Sequence, residues 1–223
     1  MLHHILAIIG ASGSGKTTLS LQAQAVGIPS IVSYTTRPMR EGEQDGVDHY
    51  FVSVKDAEQM LIDRRELAKT FYGGNLYYAL FSQLRDFPFC TYVIDEHGLR
   101  SMIDNIAELR MYGISKDEHY KIYPLILERP DTTGIAADRI ARDIGRLVNV
   151  NNDVASFFNG ETASVIRVIN DSPSAERFRS WSIAFAVAFF ASLKTGHPLL
   201  SCVLHTSDDS VSSIQQKLTG LEL

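Results

Sequence analysis

The chain has 223 residues, 45% of them hydrophobic and 21% charged, with a formal net charge of −5. That is enough sequence for one compact domain, or one core with small inserted lobes, and it excludes disordered, collagen-like and disulfide-scaffold classes. The mild acidity argues against a broad nucleic-acid footprint, and two distant cysteines, Cys90 and Cys202, read as packing residues of a reducing compartment.

Residues 5–9 form a short, continuous apolar run, the pattern of a central parallel strand. The run leads into a glycine-rich turn rather than a cleavage site, so no signal peptide is expected. A helix is predicted over residues 16–26, and a second β-like run covers 28–34. Residues 37–48 are polar and glycine-bearing, which predicts a loop or hairpin excursion. Residues 50–53 read as a short strand, after which Ser53 or Asp56 caps a helix over 57–64.

Residues 91–95 predict a third buried strand ending in an acid, followed by a helix over 99–109 and a strand over 121–127. The segment 129–147 has a helical, arginine-rich pattern, and 165–169 reads as a late strand. From Ser174 a long helix runs to about residue 195, with an apolar end that belongs against the core. Beyond residue 197 a short apolar run and a weakly amphipathic helix over 211–218 either extend the core or form a subunit contact. The longest late apolar stretch, 183–193, falls far short of the ~20 residues that span a bilayer, so a cytoplasmic protein is expected. Strands alternating with helices predict an α/β fold with a mostly parallel sheet flanked by helices.

The sharpest signal is the stretch Gly10, Ala11, Ser12, Gly13, Ser14, Gly15, Lys16, Thr17, which fits G-x-x-x-x-G-K-[ST] between a buried strand and a helix. Glycines let backbone N–H groups surround phosphate oxygens without Cβ clashes, and the helix starting at Lys16 aims its unpaired N–H groups at the anion. The lysine of such a loop reaches the β- and γ-phosphates, while Thr17 offers a hydroxyl to Mg²⁺. Thr18 continues the same turn. This motif predicts nucleoside triphosphate binding without naming the reaction.

A second motif follows: Ser33-Tyr-Thr-Thr-Arg37-Pro-Met-Arg40-Glu-Gly-Glu43-Gln-Asp-Gly-Val-Asp-His49-Tyr50-Phe-Val-Ser53. Arg37 and Arg40 are two always-charged forks whose planar geometry suits bidentate phosphate recognition. Beside a hydroxyl-rich stretch, in a chain that already binds a triphosphate, they suggest a second phosphate site.

This segment closely resembles the guanylate kinases, whose acceptor loop reads S-x-T-T-R-x-x-R-x-G-E-x-x-G-x-D-Y-x-F. The resemblance runs from residue 8 to about 171 and fades beyond it. It implies a P-loop kinase core over 1–32, 91–128 and 148–223, a small mixed lobe for the monophosphate over 33–90, and a helical lid over 129–147. Carried over by position, Ser33 touches the guanine base, and Arg37 and Arg40 bind the acceptor phosphate. Glu66 resembles the glutamate that accepts from the guanine N1 and N2 hydrogens, and Tyr77 the tyrosine that donates to the acceptor phosphate. Asp95 resembles the aspartate close to the metal and acceptor. Asn170 resembles the asparagine near the nucleoside of ATP.

The departures fall in the acceptor pocket. His49 stands where the family has a phosphate-binding tyrosine, with Tyr50 directly after it, so either residue can serve. Two extra residues sit between Phe71 and Asn75. Ala79 replaces a hydroxyl residue that helps read the base, and Val93 replaces an acid. A missing hydroxyl removes about 0.5–1.5 kcal/mol and relaxes guanine selectivity without abolishing it.

Arg139, Arg142 and Arg146 are spaced i, i+3, i+7, one face of a helix. Inside a P-loop kinase such a face supplies arginines to the charge developing on the transferred phosphoryl group, with Arg129 as a substitute. His3, His4, His97, His119, His197 and His205 lack metal-ligand spacing, and the tyrosines at 72, 77 and 78 lack a basic groove. The resemblance thus implies a Mg²⁺-dependent kinase of GMP or dGMP with ATP as donor, and nucleotides as partners rather than nucleic acid or membrane. Its rivals are a kinase of a different or modified nucleotide and a non-catalytic interaction module. Oligomeric state has no signature in the sequence.

Overall fold

The computed structural model describes residues 1–63, 65–112, 119–130, 165–195, 199–207 and 210–220. Strand β1 (Leu2–Gly10) lies at the centre and pairs in parallel with β7 (Phe89–Val93) on one side and β8 (His119–Glu128) on the other. With β2 (Ser30–Ile31), β9 (Ile166–Ile169) and β10 (Cys202–His205) they form a six-stranded sheet ordered β10-β9-β8-β1-β7-β2. Every pairing in it is parallel. The strands therefore end on one side, and the Gly10 loop, Asp95, Arg129 and Asn170 all follow strand C-termini, the side on which open α/β sheets bind ligands.

The period of two along β1 builds two cores at once. Leu6 and Ile8 join a cluster with Leu19 and Ala23 of α1 (Lys16–Ala25) and with Phe178, Trp181, Phe185 and Phe189 of α4 (Ala175–Lys194). Ile5, Ala7 and Ile9 face the other way, against Met102 and Ile106 of α3 (Glu96–Met111).

A second, mixed sheet is built from β3 (Tyr34–Thr35), β4 (Tyr50–Phe51), β5 (Glu66–Tyr72) and β6 (Asn75–Leu80), ordered β4-β3-β6-β5. Helix α2 (Val54–Asp63) covers it through Ala57, against Tyr78 and Leu80. At the far edge the Lys69 N–H of β5 donates to Ser101 Oγ of α3 at 3.1 Å, tying the two sheets together.

Several expected elements are revised. The run expected over 28–34 is two strands, because Ile31 pairs with Tyr92 in the large sheet while Tyr34 pairs with Tyr50 and Tyr78 in the small one. Helix α2 starts at Val54, three residues before the expected position, and Ser53 is its cap: Ser53 Oγ accepts from the Asp56 N–H at 3.1 Å and donates to Asp56 Oδ2 at 2.6 Å. The β5–β6 hairpin was not foreseen. Its two-residue turn, Gly73 and Gly74 at φ 58° and 77°, has the positive φ pair that a type I′ turn demands.

The C-terminal stretch extends the core. Strand β10 adds an edge to the large sheet, and α5 (Val211–Thr219) buries Ile214 and Leu218 in the cluster around α4. The Leu200 N–H donates to the Leu218 carbonyl at 2.7 Å and closes this unit. The expected lid arginines, Arg139, Arg142 and Arg146, lie outside the described residues. Among the described residues no helix is long and apolar enough to cross a membrane.

Candidate functional site

At the end of β1 the backbone must turn sharply, and both motif glycines are sterically required. A Cβ on Gly10 would sit 2.3 Å from the Leu127 carbonyl oxygen, and one on Gly15, at φ 108°, would sit 2.3 Å from the Phe178 ring. Gly15 caps α1 without any side-chain hydrogen bond and the first turn carries no acid. By contrast α4 and α5 are capped by Ser174 and Ser210. The helix end at the loop thus keeps its donors for an anion. Ser14 Oγ is buried there with no hydrogen-bond partner among the described residues, a further polar atom that a phosphate oxygen would satisfy.

The loop is braced from outside. Asn170 Nδ2 donates to the Ser14 carbonyl at 2.9 Å, and Arg129 Nη1 donates to the Gly13 carbonyl at 3.4 Å. Lys16 folds over the loop, its Nζ donating to the Gly10 and Ala11 carbonyls at 2.7 Å each. Thr17 is exposed and Thr18 half-buried in the first turn of α1.

A cavity of about 550 Å³ opens from this loop to the small sheet. Gly10, Ser12 and Lys16 line it, together with Ser33, Arg37, Arg40, Glu43, His49, Lys69, Tyr77, Tyr92, Val93, Asp95 and Glu96. Lys16, Arg37 and Arg40 bring cationic groups to it, with the carboxylates of Glu43, Asp95 and Glu96.

Arg37 is the most constrained of these cations. It is 8% exposed, and Nη1 and Nη2 grip the Glu43 carboxylate at 2.9 and 2.8 Å, with Nη1 also on the Pro38 carbonyl at 2.7 Å. Its guanidinium lies 5.4 Å from the centre of the Phe51 ring. The Arg40 N–H donates to the same carboxylate at 2.7 Å, so Glu43 shapes the turn that carries both arginines. The Arg37 fork, helped by the Arg40 amide, holds the Glu43 carboxyl down at about 2, and in return Glu43 raises the Arg37 pKa further.

The structure separates His49 from Tyr50. His49 lines the cavity edge-on to Tyr77, ring centres 5.6 Å apart, and its Nδ1 is buried without a hydrogen-bond partner among the described residues. Burial, and then the nearby Arg37 charge, push its pKa below the ordinary histidine value. Tyr50 is not among the lining residues; it stacks on Tyr34 with ring centres 4.8 Å apart.

Asp95 follows β7, and its Oδ1 accepts from the Gly98 N–H at 2.7 Å in the first turn of α3. Ser33 Oγ donates to the Tyr92 hydroxyl at 3.3 Å, and burial pushes that phenol up to about 12. Glu66 is not on the cavity wall: its Oε2 pairs with Lys69 Nζ at 2.8 Å and its Oε1 lies 3.5 Å from Asn105 Nδ2. Ala79 is fully buried and off the wall, whereas Val93 is on it. Glu43, Lys69 and Tyr92 were not singled out from sequence. Glu43 was already inside the acceptor-loop motif, whereas only the register of the unforeseen hairpin reveals Lys69.

Comparison with known proteins agrees with this arrangement. The sequence model of the guanylate kinase family matches residues 3–87. The guanylate kinase of Neisseria gonorrhoeae (strain ATCC 700825 / FA 1090) is 43% identical over 76 residues, 33% of this chain and 37% of that protein. That of Maricaulis maris (strain MCS10) is 28% identical over 183 residues, covering 78% of this chain and 84% of the relative. That of Chlorobaculum tepidum is 34% identical over 134 residues, 59% of this chain and 65% of the relative. The chain thus spans 37% of the length of the Neisseria relatives it matches. A crystal structure of guanylate kinase from Anaplasma phagocytophilum superposes on 87% of this chain and 86% of its own, with a TM-score of 0.52 at 18% identity, a likeness of fold.

Proposed function

We propose that this chain, whose residues 3–87 match the guanylate kinase family model, transfers the γ-phosphoryl group of ATP to a nucleoside monophosphate, GMP or dGMP foremost, giving ADP and the diphosphate. One observation carries the reading: the Gly10–Lys16 loop and the Arg37–Arg40 turn line a single cavity, so a triphosphate tail and a lone phosphate ester can meet there. In this reading residues 1–32, 91–128 and 148–223 are the core, 33–90 the acceptor lobe and 129–147 the lid.

The triphosphate lies on the loop, and Lys16 exchanges its two carbonyl partners for β- and γ-phosphate oxygens. The uncapped N–H groups of α1 and the Ser14 hydroxyl complete the anion's hydrogen bonds. The donors of Arg37 not taken by Glu43, together with Arg40, Tyr77 and His49, hold the acceptor phosphate. A neutral His49, favoured by its lowered pKa, donates one N–H. An acceptor-phosphate oxygen then forms a bond to the γ-phosphorus as the bond to the bridging β-oxygen breaks. That oxygen is already ionised near neutral pH, so no strong general base is required. Positioning and charge stabilisation do the rest.

The donor set also fits Mg²⁺. Thr17 and Asp95 offer hard oxygen atoms, which suit an ion that keeps waters and phosphate oxygens as its other ligands. Thr17 and Asp95 would hold the ion, which would supply positive charge against the charge that develops during transfer.

A coupled assay of ADP release with ATP and each nucleoside monophosphate tests the reading. Turnover of GMP or dGMP above the others is expected. Absence of both turnover and ATP binding would instead indicate an interaction module.

A further inference from the structure

The C-terminal strand reaches back to the phosphate loop through a chain of polar contacts. β10 ends at His205, and Thr206 directly after it is 2% exposed. The Thr206 N–H donates to the Ile169 carbonyl at 3.0 Å, which pins the residue to the end of β9. Its hydroxyl donates to Asp171 Oδ1 at 2.9 Å and stands 3.5 Å from Asn170 Oδ1. The Ser207 N–H adds a bond to Asp171 Oδ1 at 3.0 Å, and the Asn170 N–H donates to the Glu128 carbonyl at 2.7 Å. Asn170 is thus held by its own backbone, through its neighbour Asp171, and by the hydroxyl beside its amide oxygen. That hold has a chemical direction. With Oδ1 toward Thr206, the Asn170 Nδ2 faces the Ser14 carbonyl and donates to it at 2.9 Å. A flipped amide would set Oδ1 against that carbonyl, acceptor against acceptor. A trans peptide puts the Gly15 N–H on the opposite side from the Ser14 carbonyl. Fixing the carbonyl therefore fixes where that N–H points, at the uncapped start of α1.

We propose that Thr206 is a positioning residue of the donor site: through Asn170 it sets the Ser14–Gly15 peptide of the loop for the phosphates of ATP. This deepens and rests on the kinase reading. It gives the segment after β9, beyond the stretch that resembles the family, a part in binding the donor. The same segment has no such part at the acceptor, because the Arg37–Arg40 turn lies between β3 and β4 of the other sheet.

The test measures the calorimetric Kd for ATP and the KM values for ATP and GMP in the full chain, Thr206→Val and Thr206→Ser. Valine keeps the shape and removes the hydroxyl; serine restores it. We expect Thr206→Val to raise the Kd and KM for ATP by about three- to tenfold, the size of one lost hydrogen bond. The KM for GMP should stay within about twofold of the parent. Thr206→Ser should recover most of the loss, whatever either substitution does to the melting temperature. An ATP Kd within about twofold of the parent in Thr206→Val would leave Thr206 a packing residue and overturn the inference. Equal rises in both KM values, or no recovery in Thr206→Ser, would overturn it as well. Should Thr206→Val not fold, hydrogen exchange of the parent chain decides. Coupling between sites is reciprocal, so ATP should slow exchange of the Ser207 amide, and an unaffected amide would overturn the inference. ATP binding without turnover of any monophosphate would overturn the kinase reading, yet the Kd ratios would still judge Thr206. A parent chain that binds no ATP would overturn both.

Discussion

Gly15 shows how one residue serves both packing and chemistry. At φ 108° it occupies the left-handed region, and its missing Cβ leaves room for Phe178 Cε1, which would otherwise be 2.3 Å away. Gly27 is a natural control, with φ 88° but nothing within 4 Å of its would-be Cβ. Gly27→Ala should therefore cost backbone strain alone, on the order of 1 kcal/mol or a little more. Gly15→Ala adds overpacking against a buried ring, for a total of about 2–5 kcal/mol. Urea denaturation of the two variants separates the contributions. Equal losses would show that the Phe178 ring moves aside freely. The spacing of the phosphate loop marks Gly15 in the sequence, whereas the ring that makes it indispensable lies on a helix 163 residues later.

That helix is an aromatic ladder. Phe178, Trp181, Phe185 and Phe189 of α4 stack in succession, with ring centres 5.3 to 6.3 Å apart. The ladder runs from the phosphate loop into the core shared with α1. Phe178→Ala should cost about 3–5 kcal/mol and loosen the loop, raising the KM for ATP more than that for the acceptor. Trp181 is the sole tryptophan, and it stacks directly on Phe178. Its fluorescence should respond to ATP in the parent chain and much less in Phe178→Ala; an equal response in both would sever the ladder from the loop. Helix α4 was legible in advance because its apolar period is long and Ser174 announces its start. The small sheet was legible in part: the 50–53 run marked β4 and the resemblance implied a small mixed lobe. The split of the 28–34 run instead depends on pairing rather than propensity, since β3 and β4 are two residues each. β5 and β6 carry a local signal, since Gly73-Gly74, the two extra residues between Phe71 and Asn75, form a hairpin signature between aromatic-rich runs. The candidate phosphate-binding residues are marked in the sequence because each sits in a fixed-spacing motif, whereas what β5 and β6 bring to the cavity depends on register.

Separate carboxylates brace the two ends of the proposed transfer site. At the proposed acceptor end the Arg37 fork and Arg40 amide keep Glu43 at about 2 against an ordinary 4.5. At the proposed ATP end burial alone would raise the Asp171 carboxyl. Hydrogen bonds from His205, Thr206 and the Ser207 amide outweigh it and hold Asp171 at about 2 against 3.8. Those partners follow or end β10, so the C-terminal strand reaches back to Asp171, beside Asn170 and the Ser14 carbonyl it supports. Both carboxyls have lowered folded pKa values, so their stabilisation is complete above their ordinary values and is lost as pH falls toward 2. The chain should therefore lose stability between about pH 4.5 and 2. Asp171→Asn and Glu43→Gln should each cost on the order of 1 kcal/mol at pH 7 once solvent screening is allowed for. Each should flatten the acid limb of a plot of unfolding free energy against pH. Because the two carboxylates bond to different groups in different parts of the fold, Glu43 to Arg37 and Asp171 to Thr206, the double variant should lose the sum of the two contributions. Kinetically the effects should divide by site, with Asp171→Asn raising the KM for ATP and Glu43→Gln that for the monophosphate. An unaltered acid limb in the double variant would place the source of acid sensitivity elsewhere, and a crossed kinetic pattern would show that the two ends are not held independently.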